Sequence, residues 1–182
     1  TKNLAFVREG QHGAFELGAG EETHEGIAVW HRGNVLLGVS GLWHGDREWA
    51  GTTIDLGLVV SNDGIHFREP VKGHVYIPAQ DSPVTPVPGK GYPTLLCQGN
   101  GLLNVGDETL IYHDRWRNAG STPDYYGEGA VATLPRDRWG ALGLFPEETE
   151  GYVWSAPVVL PEGGDVRLNI EGATNVRVEL SD

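Results

Sequence analysis

Short apolar stretches separated by turn residues run along most of this chain. Apolar and polar residues alternate within them, and no stretch keeps the 3.6-residue apolar period of a helix. Alternation with β-branched residues is typical of strands that are covered on one face. The predicted strands of a first unit cover residues 27–31, 35–43 and 54–61, with a fourth strand beginning at Phe67. Those of a second unit cover residues 94–103, 110–112 and 129–134, with a fourth strand beginning at Trp139.

The two units repeat one pattern. Residues 34–43 match residues 107–116 without a gap at an offset of 73, and residues 56–61 match residues 128–133 at an offset of 72. A self-similar unit of short strands indicates a repeat architecture, in which each unit needs a neighbour to bury its faces. Four antiparallel strands per unit are typical of a β-propeller blade.

The connections between the predicted strands differ in length. In both units the first-to-second and third-to-fourth connections are predicted to be tight turns, as at Asn62-Asp63-Gly64. The second-to-third connection and the one that leads into the first strand are long. These two classes of connection lie at opposite ends of an up-and-down sheet. The sequence therefore predicts a functional site at the end that carries the long loops.

The pattern changes after Gly140. Three further strands are predicted over residues 151–160, 166–170 and 176–180, and their alternation indicates part of a β-sandwich. The predicted organisation is the tail of a preceding blade or a linker over residues 1–24, two blades over residues 25–140, and a linker with the first strands of a sandwich over residues 141–182. Two blades do not close a propeller, since about 4–8 are usual, so the sequence indicates a fragment or one subunit of an assembly.

Net charge narrows the choice of partner. The 182 residues carry a formal net charge of −12, which disfavours nucleic acid and anionic membrane surfaces and leaves neutral ligands and cations open. No apolar run approaches the length of a membrane span, roughly 18 residues. Cys97 is the only cysteine, so no disulfide forms within the chain.

Three stretches carry a resemblance to a known group of enzymes. Residues 56–67 (LGLVVSNDGIHF), 101–112 (GLLNVGDETLIY) and 130–140 (AVATLPRDRWG) resemble the later blades of five-bladed β-propeller glycoside hydrolases, the arabinanase/xylosidase and invertase/levanase-like families. The residues after Gly151 resemble the start of the β-sandwich that follows the propeller in invertase-like members.

The resemblance implies an all-β fold with two four-stranded blades of a five-bladed propeller followed by part of a β-sandwich. It also implies glycoside hydrolase activity, with no cofactor expected, and a secreted or periplasmic location. The catalytic acids of these families lie on the first strands of the early blades, which implies that most of them precede Thr1.

Glu25 is the strongest candidate for the general acid of such a reaction. It leads into the first strand of a blade at the long-loop end, where side chains face the central axis. Cleavage of a glycoside needs a protonated carboxylic acid and a second carboxylate, and apolar surroundings raise the pKa of the acid. The alternative is a surface glutamate at the start of a strand. Further catalytic candidates at this end are Asp55, Asp114 and Glu128, for which the alternative is a solvated loop carboxylate.

Aromatic and polar residues at the same end are candidates for sugar binding. Trp43 and Trp116 are equivalent in the two units and could stack on a sugar ring; the alternative is packing between blades. Gln98 and Asn100 could hydrogen-bond sugar hydroxyls or tie neighbouring blades together. The spacing of the histidines matches no metal signature, so no metal is predicted and hydrogen bonds to sugar are favoured. These histidines are His24, His44 and His113.

The sequence therefore predicts a carbohydrate-active protein of the glycoside hydrolase type, which cleaves or binds an oligosaccharide or polysaccharide at the long-loop face. The alternative is a non-catalytic glycan-binding or structural fragment that needs a second chain to complete the propeller. Neither interpretation involves nucleic acid or a membrane.

Overall fold

The computed structural model describes residues 22–44, 49–120, 123–155, 157, 159, 162–165, 167–172 and 175–180, and for residues 22–25 and 100 it describes the backbone only. Within these residues the regular structure consists of β-strands and two short 3₁₀ turns, without an α-helix. The predicted β class is confirmed. No helix in this described part is long and apolar enough to cross a membrane.

Seven strands form one mixed sheet. They are β1 (Glu22–His31), β2 (Leu36–His44), β3 (Thr53–Ser61), β4 (Val75–Ile77), β5 (Leu95–Val105), β6 (Glu108–Arg117) and β7 (Tyr126–Pro135). The order across the sheet is β1-β2-β3-β5-β6-β7, and β4 pairs with the outer edge of β3. Strands β1 to β4 form a first antiparallel meander and β5 to β7 a second one. A single parallel pair, Ile54 with Leu95, joins the two meanders.

The two meanders repeat each other in three dimensions. Trp43 lies opposite Ile54 in the first, and Trp116 lies opposite Gly127 in the second. The second and third strands of both meanders are therefore related by the same offset of 73. The sequence match of the third strands at an offset of 72 is wrong by one residue. Such a slip matters because it would move every side chain of the strand to the other face.

The first strand of each meander carries an irregularity at an equivalent place. The register of β1 shifts between His24 and Ile27, and that of β5 shifts between Gln98 and Leu102. Nε2 of Gln98 donates a hydrogen bond to the carbonyl oxygen of Gly26 at 3.1 Å. Gly26 has a φ of +91°, which glycine adopts without strain. The two first strands therefore meet at their bulges.

The meanders stack with the same sense, one behind the other. We call face A the side that carries Trp43 and Val39 in the first meander and Trp116 and Tyr112 in the second, and face B the opposite side. Face A of the first meander packs on face B of the second, because Val39 shares a buried cluster with Ile111. The whole cluster comprises Val39, Leu56, Ile77, Ala79, Leu96 and Ile111. This arrangement leaves face A of the second meander at the surface, with Tyr112 44% exposed.

The connection after β3 differs from the prediction. The turn itself forms as expected, because the carboxylate of Asp63 accepts hydrogen bonds from the backbone N–H groups of Ile65 and His66. No strand begins at Phe67, however, and the connection to β4 runs over residues 62–74. Only one bridge, between Val60 and Arg68, continues the pairing.

Two residues account for this interruption. Pro70 has no N–H to donate to a ladder, and Gly73 has a left-handed φ of +69°. The fourth strand is consequently reduced to the three residues of β4, which pair with Leu56 and Gly57. The expectation of a tight third-to-fourth connection in the first unit is therefore wrong.

Trp139 does not begin a strand either. The predicted turn near residues 135–138 is present, with the N–H of Arg138 donating to the carbonyl of Pro135 at 2.9 Å. Trp139 then packs between two rings of the first meander. Its centroid lies 6.0 Å from that of Trp30 and 6.3 Å from that of Tyr76. Packing of this large apolar side chain therefore replaces the strand pairing that the repeat predicted.

The chain divides into two compact units, Thr1–Ala141 and Leu142–Asp182. The described residues of the second unit form turns and irregular backbone without strand pairing, which differs from the predicted sandwich strands over residues 151–160, 166–170 and 176–180. Their apolar side chains are largely exposed, as Val159 is at 98%. Alternation alone does not make a sheet, because a strand also needs a paired neighbour for its backbone groups.

Candidate functional site at the long-loop end

The long connections gather at one end of the sheet, as predicted. Strands β2 and β6 end there, and β3, β5 and β7 begin there. A proline-rich segment crosses this end between β4 and β5; we call residues 78–94 the strap. Its prolines are Pro78, Pro83, Pro86, Pro88 and Pro93. The strap contains one 3₁₀ turn, Ala79–Asp81, and otherwise irregular backbone.

Asp55 holds the start of the strap. Its Oδ1 accepts a hydrogen bond from the N–H of Ala79 at 2.6 Å. Nε2 of His44 lies 2.8 Å from Oδ2, a close electrostatic contact that falls short of an aligned hydrogen bond. Burial alone would raise the pKa of Asp55, but the contacts with His44 and Ala79 outweigh it and hold that pKa below its usual value. Asp55 is thus ionised and anchors the start of the strap.

Glu128 holds the middle of the strap and is the equivalent of Asp55 in the second meander. Its carboxylate accepts hydrogen bonds from the N–H of Thr85 at 2.8 Å and from the Thr85 hydroxyl at 3.0 Å. The guanidinium of Arg115 lies 3.2 Å away. The Thr85 N–H, followed by the Thr85 hydroxyl and Arg115, holds the pKa of Glu128 below its usual value against the effect of burial.

His113 lies beneath the strap and is 2% exposed. Its Nε2 is 3.0 Å from the hydroxyl of Ser82, and its Nδ1 is 3.4 Å from the carbonyl oxygen of Ile111. A carbonyl can only accept, so the proton belongs on Nδ1 and the Ser82 hydroxyl donates to Nε2. Burial lowers the pKa of His113, which keeps the imidazole neutral.

The far part of the strap is tied to the connection between β6 and β7. The carboxylate of Asp124 forms an ion pair with Lys90 and accepts a hydrogen bond from the hydroxyl of Tyr92 at 2.8 Å. The guanidinium of Arg117 donates to the carbonyl of Thr85. This strap was not predicted from the sequence. The five prolines were the available signal, because they exclude regular strand pairing while restricting the backbone.

Asp114 has a different environment. No hydrogen bond or ion pair joins its carboxylate to the part of the chain that the structure describes. It is half-buried in an open concavity of about 400 Å³ on face A of the second meander. The other residues around this concavity are Gly99, Tyr112, His113, Gly129, Ala130 and Val131. Of Asp55, Asp114 and Glu128, only Asp114 does not anchor the strap in the described structure.

The two equivalent tryptophans have different surroundings. Trp43 is 9% exposed and packs in a cluster with Ile54 and Leu95. Its ring centroid lies 4.8 Å from that of Trp49. These contacts favour the packing alternative for Trp43. Trp116 is half-buried at the edge of the same cluster.

Two tyrosines present their rings at this end. Tyr125 is 47% exposed and meets Trp116 edge to face, with centroids 5.7 Å apart. Tyr126 is 40% exposed, and the guanidinium of Arg117 lies 4.5 Å from its ring centroid. Both rings are therefore oriented by a neighbour while one side stays open.

The candidates on the first strands are only partly described. The backbones of His24, Glu25 and Asn100 lie at the two bulges, and their side chains lie outside the described residues. The hydrogen bond from Gln98 to Gly26 favours the alternative that this amide ties neighbouring meanders together. Within the described residues no group of three His, Cys, Asp or Glu side chains could hold a metal ion.

Replacing Glu128 with glutamine should loosen the strap without unfolding the sheet. The variant loses the charge that binds the Thr85 N–H and Arg115, so we expect faster hydrogen exchange at the Thr85 amide, by about tenfold. Exchange at Ile111, in the core of β6, should stay unchanged. Glu148→Gln, at an exposed site in the second unit, is the matched control. Unchanged exchange at Thr85 would contradict the anchoring role.

No protein-family model, curated protein or solved structure matches this chain.

Proposed function

We propose that this is a carbohydrate-active protein of the glycoside hydrolase type and that it binds a neutral glycan at the long-loop end. The observation that carries the proposal is the pair of open rings, Tyr125 directly before β7 and Tyr126 at its first residue, which Trp116 and Arg117 hold in place. Flat aromatic faces suit sugar rings, whose C–H groups stack while the hydroxyls take polar partners.

The charge of the chain supports a neutral ligand. A net charge of −12 disfavours anionic ligands, whereas an uncharged glycan is not repelled. The strap lies beside Tyr126, because Glu128 and Arg117 each contact both Tyr126 and Thr85, and Asp124 ties down its far part. A pre-organised site loses less conformational entropy when a ligand binds.

We further propose that the two meanders are two blades of a five-bladed propeller. Their head-to-tail stacking and their meeting at the first strands support this, since blades stack in the same way around an axis. In that arrangement Glu25 lies at the axis and is the proposed general acid. Asp114 is the proposed second carboxylate, because the carboxylates of Asp55 and Glu128 already accept hydrogen bonds from backbone N–H groups of the strap.

A non-catalytic glycan-binding protein is the second candidate function. It is favoured by the roles of Asp55 and Glu128, since two of the four proposed catalytic carboxylates are committed to holding backbone N–H groups. Completion of the propeller by another chain fits either function.

Binding is tested by replacing Tyr125 with alanine. We expect the affinity for a matching oligosaccharide to fall about tenfold, because one stacked ring is lost. Calorimetry with arabino-, xylo- and fructo-oligosaccharides is the measurement. Tyr152→Ala removes a tyrosine that is 79% exposed in the second unit and should leave the affinity unchanged. Equal affinities for the two variants would contradict a site at Tyr125.

Cleavage is tested separately with Glu25→Gln and Asp114→Asn, measured as release of reducing sugar from the same panel. If the protein is a hydrolase, both variants should retain glycan affinity and lose most of the turnover. Turnover that survives in both variants excludes these residues from the mechanism. Binding without turnover in the unaltered protein selects the non-catalytic function.

A further inference from the structure

Strand β7 lies at one edge of the sheet. Among the described residues it pairs only with β6. The N–H of Arg136 donates to the carbonyl of Asp107, which makes these two residues a hydrogen-bonded pair. Hydrogen-bonded and non-hydrogen-bonded pairs alternate along an antiparallel ladder. Every second residue of β7 therefore turns its N–H and C=O away from β6. The residues concerned are Gly127, Gly129, Val131 and Thr133.

The same edge of the first meander is covered. At the offset of 73, Gly127, Gly129 and Thr133 correspond to three residues of β3 that all have partners beyond the ladder with β2. Ile54 donates its N–H to the carbonyl of Thr94, Leu56 pairs with Ile77 of β4, and Val60 exchanges two hydrogen bonds with Arg68. The first meander thus shows how the outer edge of the third strand is covered, by a short antiparallel strand and the residues that flank it.

The edge of β7 lacks the features that usually prevent strand addition. Natural edge strands are blunted by lysines, inward charges, prolines or bulges. The sequence of β7 is YGEGAVATLP, in which the only proline is the last residue and the only charge is Glu128. That charge is directed to Thr85 and Arg115. Apart from Tyr126, the remaining side chains are small or apolar, and Val131 is 48% exposed.

We propose that the outer edge of β7 is a docking site for an extended segment of a partner protein, which adds as an antiparallel strand in the way that β4 adds to β3. The partner segment has the chemistry of β4, Val75-Tyr76-Ile77: short, β-branched and aromatic. Main-chain hydrogen bonds supply the affinity, and alternate side chains reach the apolar surface of face A beside Val131 and Tyr112. The proposal does not depend on glycan binding.

Electrostatics select this partner over a second copy of the chain. Edge-to-edge pairing of two copies would bring together two molecules that each carry a net charge of −12. A neutral or basic segment does not meet this repulsion. The expected partner is therefore an extended apolar segment without net negative charge.

The test uses the full chain and a synthetic peptide that copies residues 73–79, GHVYIPA. Leu56 and Ile77 lie directly opposite each other, and Leu56 turns its backbone groups to β4, so the N–H of Ile77 points to the edge. A peptide that is N-methylated at the copied Ile77 should bind about tenfold more weakly than one methylated at the copied Tyr76. Bound peptide should also slow hydrogen exchange at Gly129 and Val131.

A pair of protein variants tests the same edge from the other side. Val131→Pro removes an outward N–H while the ladder with β6 is kept, and Val131→Thr retains that N–H. We expect the proline variant alone to lose peptide affinity, by about tenfold. If the proline variant does not fold, the two methylated peptides decide. Equal binding of those peptides, absence of protection at β7, or sedimentation as a dimer through this edge would each overturn the proposal.

Discussion

Replacement of Trp43 by alanine is expected to lower the free energy of unfolding by about 3–5 kcal/mol, the range for a large aromatic side chain removed from a core. Trp43 is 9% exposed and contacts Trp49, Ile54 and Leu95. Ile54 and Leu95 are also the single parallel pair that joins the two meanders. The cavity would therefore open at the junction between the two meanders.

Equilibrium unfolding in urea, followed by tryptophan fluorescence and circular dichroism, measures this effect. Trp43→Phe keeps most of the volume and should cost less than half as much. Trp116→Ala is the comparison at the equivalent position, and it should cost clearly less because Trp116 is only half-buried. A similar loss for Trp43→Ala and Trp116→Ala would contradict the different packing of the two residues.

The same variants separate packing from sugar binding. If Trp43 serves packing, Trp43→Phe should bind oligosaccharides as the unaltered protein does. Trp116→Ala should weaken binding, because Trp116 supports the ring of Tyr125. A loss of oligosaccharide affinity in Trp43→Phe without a loss of stability would indicate that Trp43 takes part in sugar binding.

The sequence predicted the strands and their end-to-end arrangement because these depend on local signals. Alternation located β2, β3, β5 and β7 to within a few residues, whereas β1 and β6 extend further towards the long-loop end than predicted. The Asp63 turn formed through the hydrogen bonds that its carboxylate was expected to make. Loop lengths then identified which end of the sheet carries the long connections. These inferences needed no information about contacts between distant residues.

Matching the sequences of the two units could not determine the register of the repeat. Small apolar residues such as Ala130, Val131 and Ala132 match β3 almost equally well at two neighbouring offsets, and only the ladder with β6 selects one of them. The weak fourth strands failed for a related reason. Their pairing depends on how Pro70, Gly73 and Trp139 satisfy the backbone and the core, which no local pattern records.

The roles of the polar candidates depended on the strap. Asp55, Glu128 and His113 were correctly placed at the long-loop end, yet nothing in their spacing indicated that they hold residues 78–94. These contacts join residues that are 24 to 43 positions apart in the chain. A carboxylate that accepts a distant backbone N–H has the same sequence signature as one that faces a substrate. Only the fold distinguishes them.

Acidification below about pH 6.5 is expected to destabilise the protein through His113. Burial holds the pKa of His113 below its usual value in the folded state, so the unfolded chain binds a proton first as the pH falls. The unfolded state then gains protons relative to the folded state, and stability falls with decreasing pH. The slope for this one residue can reach at most about 1.4 kcal/mol per pH unit.

A second loss of folding stability is expected at lower pH, and here too stability falls as the pH falls. The pKa values of Asp55 and Glu128 are depressed in the folded state, so their contribution to stability is present above the usual carboxylate range and disappears as the pH falls through the folded values. The histidine loss begins at a higher pH than the carboxylate loss, since the ordinary pKa values are 6.5 for histidine and 3.8 to 4.5 for the carboxylates.

Urea unfolding midpoints measured from pH 8 to pH 4 resolve the first window. His113→Gln should flatten the dependence between about pH 7 and pH 5, because no imidazole remains to charge in the unfolded state. His74→Gln, at an exposed histidine, should leave the slope as it is. A slope that persists in His113→Gln and vanishes in His74→Gln would show that the buried imidazole beneath the strap is not the group responsible.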